Sequence, residues 1–217
     1  MTNAQVIAKT ANYVKQKFDG EATGHDWWHM YRVWQLAKHI AKNEPEADLF
    51  VVELGALLHD IADWKFNEDE EAGPRAAREW LRSLNVDNRI ITHVEDIIRN
   101  VSFKGAKVKT NLTTKEGQII HDADKLDAIG AIGIARAFAY GGANGRMMYD
   151  PDRKAVHHTT FDAYKDDKTG TINHFHDKLL LLKGRMFTKT GKKMAQHRHR
   201  HMEEFLKEFY DEWEGKL

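Results

Sequence analysis

One short stretch at the end of an apolar run decides how this chain is interpreted: Leu57-Leu58-His59-Asp60-Ile61-Ala62-Asp63. It closes a helix predicted over residues 46–61, in which positions 50, 54, 57, 58 and 61 are apolar and indicate a core-facing stripe. An imidazole and a carboxylate beside such a stripe are costly to bury unless they are paired or bind a ligand. Adjacent helical residues point about 100° apart, yet an ion at the edge of the helix can take one bond from each. The pair His59-Asp60 is therefore a candidate part of a metal site.

Two other predicted helices supply further inward polar groups. His29 precedes apolar residues 33, 36 and 40 by four, seven and eleven positions, so it shares their face on a helix that Asp26 caps and that runs to about residue 43. Asp124 shares a face with residues 120, 128 and 131 on a helix predicted over residues 113–140. Two imidazoles and two carboxylates suit a divalent ion that keeps positions open for water and substrate. Each residue alone is more often a core histidine, a cap or a salt-bridge partner, so the prediction depends on the combination of His29, His59, Asp60 and Asp124.

The rest of the chain has helical periodicity and predicts an all-α fold. It has three prolines and no alternating Val/Ile/Thr-rich runs. The other predicted helices cover residues 4–18, 74–84, 87–101, 172–186 and 192–213, and Thr113 to Glu116 has the form of a capping box. The segment Gly141 to Gly170 is long for a structureless connection and is a candidate lid or substrate loop. The 217 residues suit one all-helical domain, although two small ones remain compatible with that length.

Composition excludes several classes of function. Lys+Arg and Asp+Glu both number 33, and this balance argues against a nucleic acid polymer or a membrane surface as partner. The absence of cysteine excludes disulfides, thiolate nucleophiles and Cys-ligated zinc, so a transition-metal site must use carboxylates and some of the 13 histidines. No apolar stretch approaches the ~18 residues that span a membrane, and the N-terminus lacks a signal-peptide layout. We therefore expect a cytoplasmic protein.

The order His29…His59-Asp60…Asp124 resembles the H…HD…D signature of the HD-domain superfamily of metal-dependent phosphohydrolases. An adjacent His-Asp pair alone is a weak signal, whereas the full set in this order is specific. The flanking stretches strengthen the resemblance, and two later ones resemble the bacterial YpgQ/YedJ-type branch in particular. The flanking stretches are Gly24-His25-Asp26 and Asp122–Gly130, and the later ones are Gly133–Gly142 and Lys178–Lys183. The resemblance covers about residues 5–213.

This resemblance implies a single HD domain over residues 1–217, with a helical core at about 22–140, a C-terminal helical extension at about 171–214, and the metal at the centre of the bundle. It implies one divalent ion, with manganese as the first candidate and iron, cobalt, nickel, zinc or magnesium as alternatives. The branch implies a nucleotide pyrophosphohydrolase that cleaves (deoxy)nucleoside triphosphates to monophosphate and pyrophosphate through a metal-activated water. The alternatives are a phosphomonoesterase or phosphodiesterase acting on another phosphorylated metabolite, and a nucleotide sensor without turnover.

Several residues near these motifs are candidates for catalysis and for substrate binding. Asp63, one turn beyond the His-Asp pair, is a candidate to orient the water or accept its proton, because a matching acidic residue is catalytic in related HD nucleotidases. Glu68 is a second candidate, although its acidic surroundings also suit a solvated loop. A small phosphorylated substrate, such as a nucleotide, needs cations and hydrogen-bond donors. Candidate substrate contacts are His25, Arg32, Lys65, His93, Lys125, His174 and Lys178. His93 and His121 are also possible ligands of a second metal ion. The amphipathic late helices could support a homodimer.

Overall fold

The structure is a computed structural model that describes residues 1–18, 26–62, 69, 71–101, 112–152 and 170–217. Within these ranges the chain forms nine α-helices and one 3-10 helix and contains no strand, which confirms the prediction of an all-α fold. The helices are α1 (Asn3–Lys17), α2 (Trp27–Ala41), α3 (Leu49–Leu58), α4 (Ala72–Ser83), α5 (Asn88–Val101), α6 (Lys115–Asp127), α7 (Gly130–Ala143), α8 (Thr171–Asp177), the 3-10 helix (Leu179–Arg185) and α9 (Lys189–Trp213). None of the described helices combines the length and the apolar character needed to cross a membrane.

The first compact unit, residues 1–103 and 109–123, is built around α3. This helix packs against α1, α2 and α5, and every residue from Leu54 to Leu58 is buried. A helix that is apolar on all sides is stable only inside a core. It begins at Leu49, three residues later than predicted, because the Oδ1 atom of Asp48 accepts a hydrogen bond from Phe50 N (2.9 Å) and caps the helix.

The second compact unit comprises residues 104–108 and 124–217. Its long helix α9 packs against α7 and against the 3-10 helix, while α8 packs against α7. The fully buried ring of Phe175 lies 6.1 Å from the ring of Phe138 and 5.8 Å from that of Phe205, centroid to centroid. These aromatic contacts join three helices in one apolar core.

The prediction of one helix over residues 113–140 is wrong, because the chain turns after Asp127. Ile129 is extended (φ −129°, ψ 165°) and Gly130 has φ +77°, a left-handed conformation that favours glycine. A Cβ atom on Gly130 would also lie 2.9 Å from Cγ of Arg198. Small and apolar residues on both sides of this turn keep a helical spacing in the sequence, which hides the break.

Other boundaries also differ from the predicted ones. The predicted helix over residues 172–186 is the short α8 followed by a 3-10 helix, with Lys178 (φ −140°, ψ −56°) at the junction. Helix α9 begins three residues earlier than predicted, since Oγ1 of Thr188 accepts a hydrogen bond from Gly191 N (2.9 Å). The capping box at residues 113–116 is wrong as well. Thr114 accepts the hydrogen bond from Gly117 N (3.3 Å), and Glu116 accepts one from the backbone N of Asp48 (2.8 Å).

The predicted lid, Gly141 to Gly170, is described only at its two ends. Backbone hydrogen bonds join these ends: Thr171 N donates to Met147 O (2.9 Å), and Ile172 N donates to Met148 O (3.0 Å). Residues 153–169 lie outside the described ranges, so the lid stays a prediction. The assignment of the whole chain to one HD domain likewise stays a prediction.

Candidate metal centre

Helix α2 holds His29 in the core of the first unit. Oδ1 of Asp26 accepts a hydrogen bond from the backbone N of His29 at 2.8 Å, so the predicted N-cap is confirmed and fixes the turn that carries this histidine. His29 is 1% exposed, and Val33 and Ile40 on the same face are fully buried. The inward orientation that the sequence predicts for His29 is therefore confirmed.

The second histidine, His59, follows directly after α3. Its Nδ1 atom lies 2.9 Å from the carbonyl oxygen of Ala56, and the residue is 3% exposed. When Nδ1 carries the proton it donates to this carbonyl, and the lone pair of Nε2 then points away from the helix. Histidines that bind metals usually have such a partner on the other ring nitrogen, because it fixes both the tautomer and the ring.

A side chain of α6 packs against α3 one turn before the site. A Cβ atom on Gly55, four residues before His59, would lie 2.5 Å from Cδ1 of Ile120, four residues before Asp124. Gly55 therefore leaves the space that the Cδ1 methyl group of Ile120 occupies. The close contact therefore lies one helical turn before the histidine on α3 and one turn before the carboxylate on α6.

Three of the four predicted ligands form one group, and Asp60 lies beside two of them. Oδ2 of Asp60 lies 3.5 Å from Nε2 of His59 and 3.7 Å from Nε2 of His29. His29, His59 and Asp124 each offer one ligand atom, and these atoms lie within 4.8 Å of one another. Two atoms bound to one ion at about 2.0–2.2 Å are at most about 4.4 Å apart, so these separations are close to what a bound ion requires. Two nitrogens and two carboxylate oxygens are also a donor set that suits several divalent transition metals.

Asp124 has a cation beside it. The Nζ atom of Lys125 donates to Oδ2 of Asp124 at 2.7 Å, and Lys125 is only 7% exposed. An ammonium group removed from water is strongly held by such a carboxylate. The structure thus places Lys125, predicted as a substrate contact, on the carboxylate of a predicted metal ligand.

Two predicted substrate contacts of the first unit, Arg32 and His93, lie on α2 and α5. Arg32 follows His29 by three residues on α2 and is half-buried. The Nε2 atom of His93 lies 3.6 Å from Oε2 of Glu116, whose other oxygen accepts the hydrogen bond from the backbone of Asp48. His93 therefore belongs to a polar group around the buried Glu116 that joins α5 to the start of α6 and of α3.

In the second unit, His174 and Lys178 lie on α8 and at its end. Burial lowers the pKa of His174 to about 3, and the charges of Lys178 and Arg146 lower it further in the same direction. The imidazole of His174 is therefore neutral at pH 7 and can donate or accept a hydrogen bond without adding charge. Four other candidates, His25, Asp63, Lys65 and Glu68, lie outside the described residues.

Sequence reasoning assigned no role to two buried acidic residues that flank Asp124 on α6. Asp122 is fully buried, with Oδ1 3.4 Å from Nδ1 of the buried His121. Asp127 is 1% exposed, and its Oδ2 atom accepts a hydrogen bond from Nη1 of Arg136 at 2.7 Å. The available signal was three carboxylates within six residues beside the apolar positions of α6, because burial of a carboxylate is costly unless it has a partner.

Comparison with known proteins points to one family. The family model of the HD domain matches residues 27–129. The uncharacterized protein YpgQ of Bacillus subtilis (strain 168) is 36% identical over 197 residues, which cover 90% of this chain and 88% of YpgQ. An HD-superfamily hydrolase from Bacillus thuringiensis has a solved structure with 42% identity and a TM-score of 0.78, and the match covers 98% of this chain and 99% of that one.

A further solved structure shows B. subtilis YpgQ in complex with ADP. It is 32% identical, with a TM-score of 0.75, and the match covers 95% of this chain and 97% of that one. Sequence and fold agree over nearly the whole length of these relatives, and the His29, His59 and Asp124 group is consistent with the metal site of such proteins. The chain therefore belongs to the HD-domain superfamily of hydrolases, as a close relative of YpgQ.

Proposed function

We propose that this protein is a metal-dependent nucleotide pyrophosphohydrolase that cleaves (deoxy)nucleoside triphosphates to monophosphate and pyrophosphate. The observation that carries the proposal is the group of His29, His59 and Asp124, whose ligand atoms lie within 4.8 Å of one another, with Asp60 in contact with both histidines. The complex of YpgQ with ADP supports a nucleotide as the ligand. We assign all four residues as ligands of one divalent ion, with manganese as the first candidate.

When bound, such an ion lowers the pKa of a water molecule and neutralises charge on a phosphoryl oxygen. The protein residues prepare the site for this chemistry. The carbonyl of Ala56 orients His59, and the cap at Asp26 holds the turn of His29. Asp63 is proposed to orient the attacking water or accept its proton, with Glu68 as the second candidate.

The charges at the site favour a polyphosphate. Lys125 contributes one positive charge beside Asp124, and a bound divalent ion would contribute two. These cations would attract a polyphosphate and stabilise the negative charge that develops in the transition state. Remaining phosphate contacts are proposed for His25, Arg32, Lys65, His93, His174 and Lys178. Among these, His174 acts as a neutral hydrogen-bonding group.

The test uses metal-stripped wild-type protein, Asp60→Asn and, as a matched control, Glu208→Gln on the exposed face of α9. Each protein is incubated with a panel of nucleoside triphosphates with and without Mn²⁺, and the products are separated. We expect Mn²⁺-dependent release of pyrophosphate and monophosphate by wild type and the control, with a loss of at least 10²-fold in Asp60→Asn, on the order expected for removing a charged ligand.

The products also separate the alternatives. Release of orthophosphate would keep the hydrolase but overturn the proposed bond, and would favour a phosphomonoesterase. Binding of nucleotides without turnover under any metal would favour the sensor. Equal activity of Asp60→Asn and wild type would remove Asp60 from the proposed site.

A further inference from the structure

The last turn of α6 carries Asp124 and needs an external cap. This turn covers Asp124 to Asp127, and helix ends leave backbone carbonyls without intrahelical donors. Ala128 N donates to the carbonyl of Lys125 (3.3 Å) and Ile129 N to that of Leu126 (3.2 Å), but both donors lie beyond the helix, Ile129 in the extended turn that follows. Helix ends fray from the terminus inward, and fraying by one turn would release Asp124.

Two arginines from later helices hold this end. Nη1 of Arg198, on α9, donates to the same carbonyl of Leu126 across 72 residues of sequence. Nη1 of Arg136, on α7, donates to the buried carboxylate of Asp127 at 2.7 Å and lies 3.5 Å from its backbone oxygen. Two guanidinium cations at a helix C-terminus also interact favourably with the helix dipole.

The side chain of Arg198 is fixed along its length. Its Cβ and Cγ atoms pass so close to Gly130 that a Cβ atom there would lie 3.0 and 2.9 Å from them. Burial lowers the pKa of the Arg198 guanidinium, and the negative charge of Asp127 acts in the opposite direction. The cation is thus partly removed from water, packed on one glycine and aimed at one carbonyl, which is the arrangement of a rigid cap rather than of a solvated surface arginine.

We propose that Arg198 is a positioning residue for the metal centre: from α9 it caps the last turn of α6 and so holds the carboxylate of Asp124 in place before the ion binds. Arg136 supports the same turn through Asp127. The inference rests on the proposed function, because it takes Asp124 as a metal ligand. Residues that orient ligands typically contribute about 10- to 100-fold to metal affinity.

The test titrates metal-stripped protein with Co²⁺ alone and follows the visible d–d absorption, which reports affinity and ligand geometry without requiring turnover. The variants are Arg198→Met, which keeps an unbranched stem over Gly130, and Arg198→Lys, which also keeps a cation. Arg136→Met is a second, independent variant. The matched controls are Arg200→Met, exposed on the same helix, and Leu206→Ala, which removes a buried side chain of α9 far along the helix from residue 198.

We expect Arg198→Met to bind Co²⁺ about 10- to 100-fold more weakly than wild type and with an altered spectrum. Arg136→Met should also bind Co²⁺ more weakly. Arg198→Lys should keep most of the wild-type affinity. Leu206→Ala should lower the melting temperature yet keep the Co²⁺ affinity and spectrum of the wild type. Arg200→Met should change neither.

Three outcomes would overturn the inference; the first two leave the proposed metal site standing, whereas the third also removes Asp124 from it. Unchanged Co²⁺ affinity in both Arg198→Met and Arg136→Met, while Asp124→Asn loses binding, would reject the positioning role and leave the metal site intact. If Leu206→Ala lowers the Co²⁺ affinity as much as Arg198→Met does, Arg198 has only a general stabilising role. Equal Co²⁺ binding by wild type and Asp124→Asn would reject Asp124 as a ligand, and the positioning role with it.

Discussion

Substitution of Gly55 by alanine tests whether the packing of Ile120 on Gly55 affects the position of the metal ligands. The added Cβ would lie 2.5 Å from Cδ1 of Ile120, about 1 Å short of the usual separation of two carbon atoms. The next nearest atom, Cγ2 of Ile97, is at an ordinary 3.7 Å, so one methyl group carries the whole clash. Ile120 is fully buried, and its methyl group can leave only by displacing its neighbours.

The magnitude follows from two opposed terms. Overpacking of this kind costs about 1–3 kcal/mol, whereas replacing glycine by alanine inside a helix gains about 1 kcal/mol. We therefore expect Gly55→Ala to lower the free energy of unfolding by about 1 kcal/mol. Ile120→Val removes the clashing methyl and costs about 0.5–1.5 kcal/mol by itself. In that background Gly55→Ala loses its clash but keeps its helical gain, so its effect should change sign and become stabilising.

Urea unfolding of wild type, both single variants and the double variant measures this cycle. Gly142→Ala on α7 is the matched control, because a Cβ atom there would meet nothing within 4 Å and should not destabilise. Co²⁺ titration of the same proteins should show weaker binding in Gly55→Ala and recovery in the double variant. Stabilisation by Gly55→Ala in both backgrounds would refute the reasoning, since Ile120 would then move aside freely. An equal loss in both backgrounds would show that another contact is responsible.

Three further predictions concern individual residues. Asp26→Ala should lower the free energy of unfolding by about 1 kcal/mol because the cap on α2 is lost, whereas Asp26→Ser should keep most of the stability. Thermal unfolding measures both variants, and equal melting temperatures for Asp26→Ala and wild type would contradict the cap. Gly130→Ala should cost at least about 1–2 kcal/mol, because alanine is strained at φ +77° and meets Arg198, and an unchanged melting temperature would exclude that strain. The pKa of His174 is lowered from 6.5 to about 3, so between these pH values the unfolded chain binds more protons than the folded protein. The free energy of unfolding should therefore fall as the pH drops below 6.5, and it should fall less steeply in His174→Asn. Melting temperatures at pH 7.5 and pH 5 measure that difference, and parallel losses in the two proteins would exclude His174 as the source.

The sequence by itself determined the fold class and the main groups of the candidate site. Helical spacing placed His29 on the buried face of α2, and Asp26 marked where that helix begins. The order of His29, His59-Asp60 and Asp124 along the chain was sufficient to indicate the family without the structure. These features are local or depend on order along the chain, so periodicity and motif spacing are sufficient to find them.

Only the tertiary structure decided how these groups are held together. Beside the break between α6 and α7, Arg198 donates to the carbonyl of Leu126 from 72 residues away. On α3, Gly55 leaves the space for the Cδ1 methyl group of Ile120. Glu116 likewise has the composition of a capping-box residue but binds the backbone of Asp48, 68 residues earlier. Such distant partners override the local sequence preferences for helix ends only when distant segments pack together. The free energy of a buried hydrogen bond or contact depends on which partner group the fold places beside it.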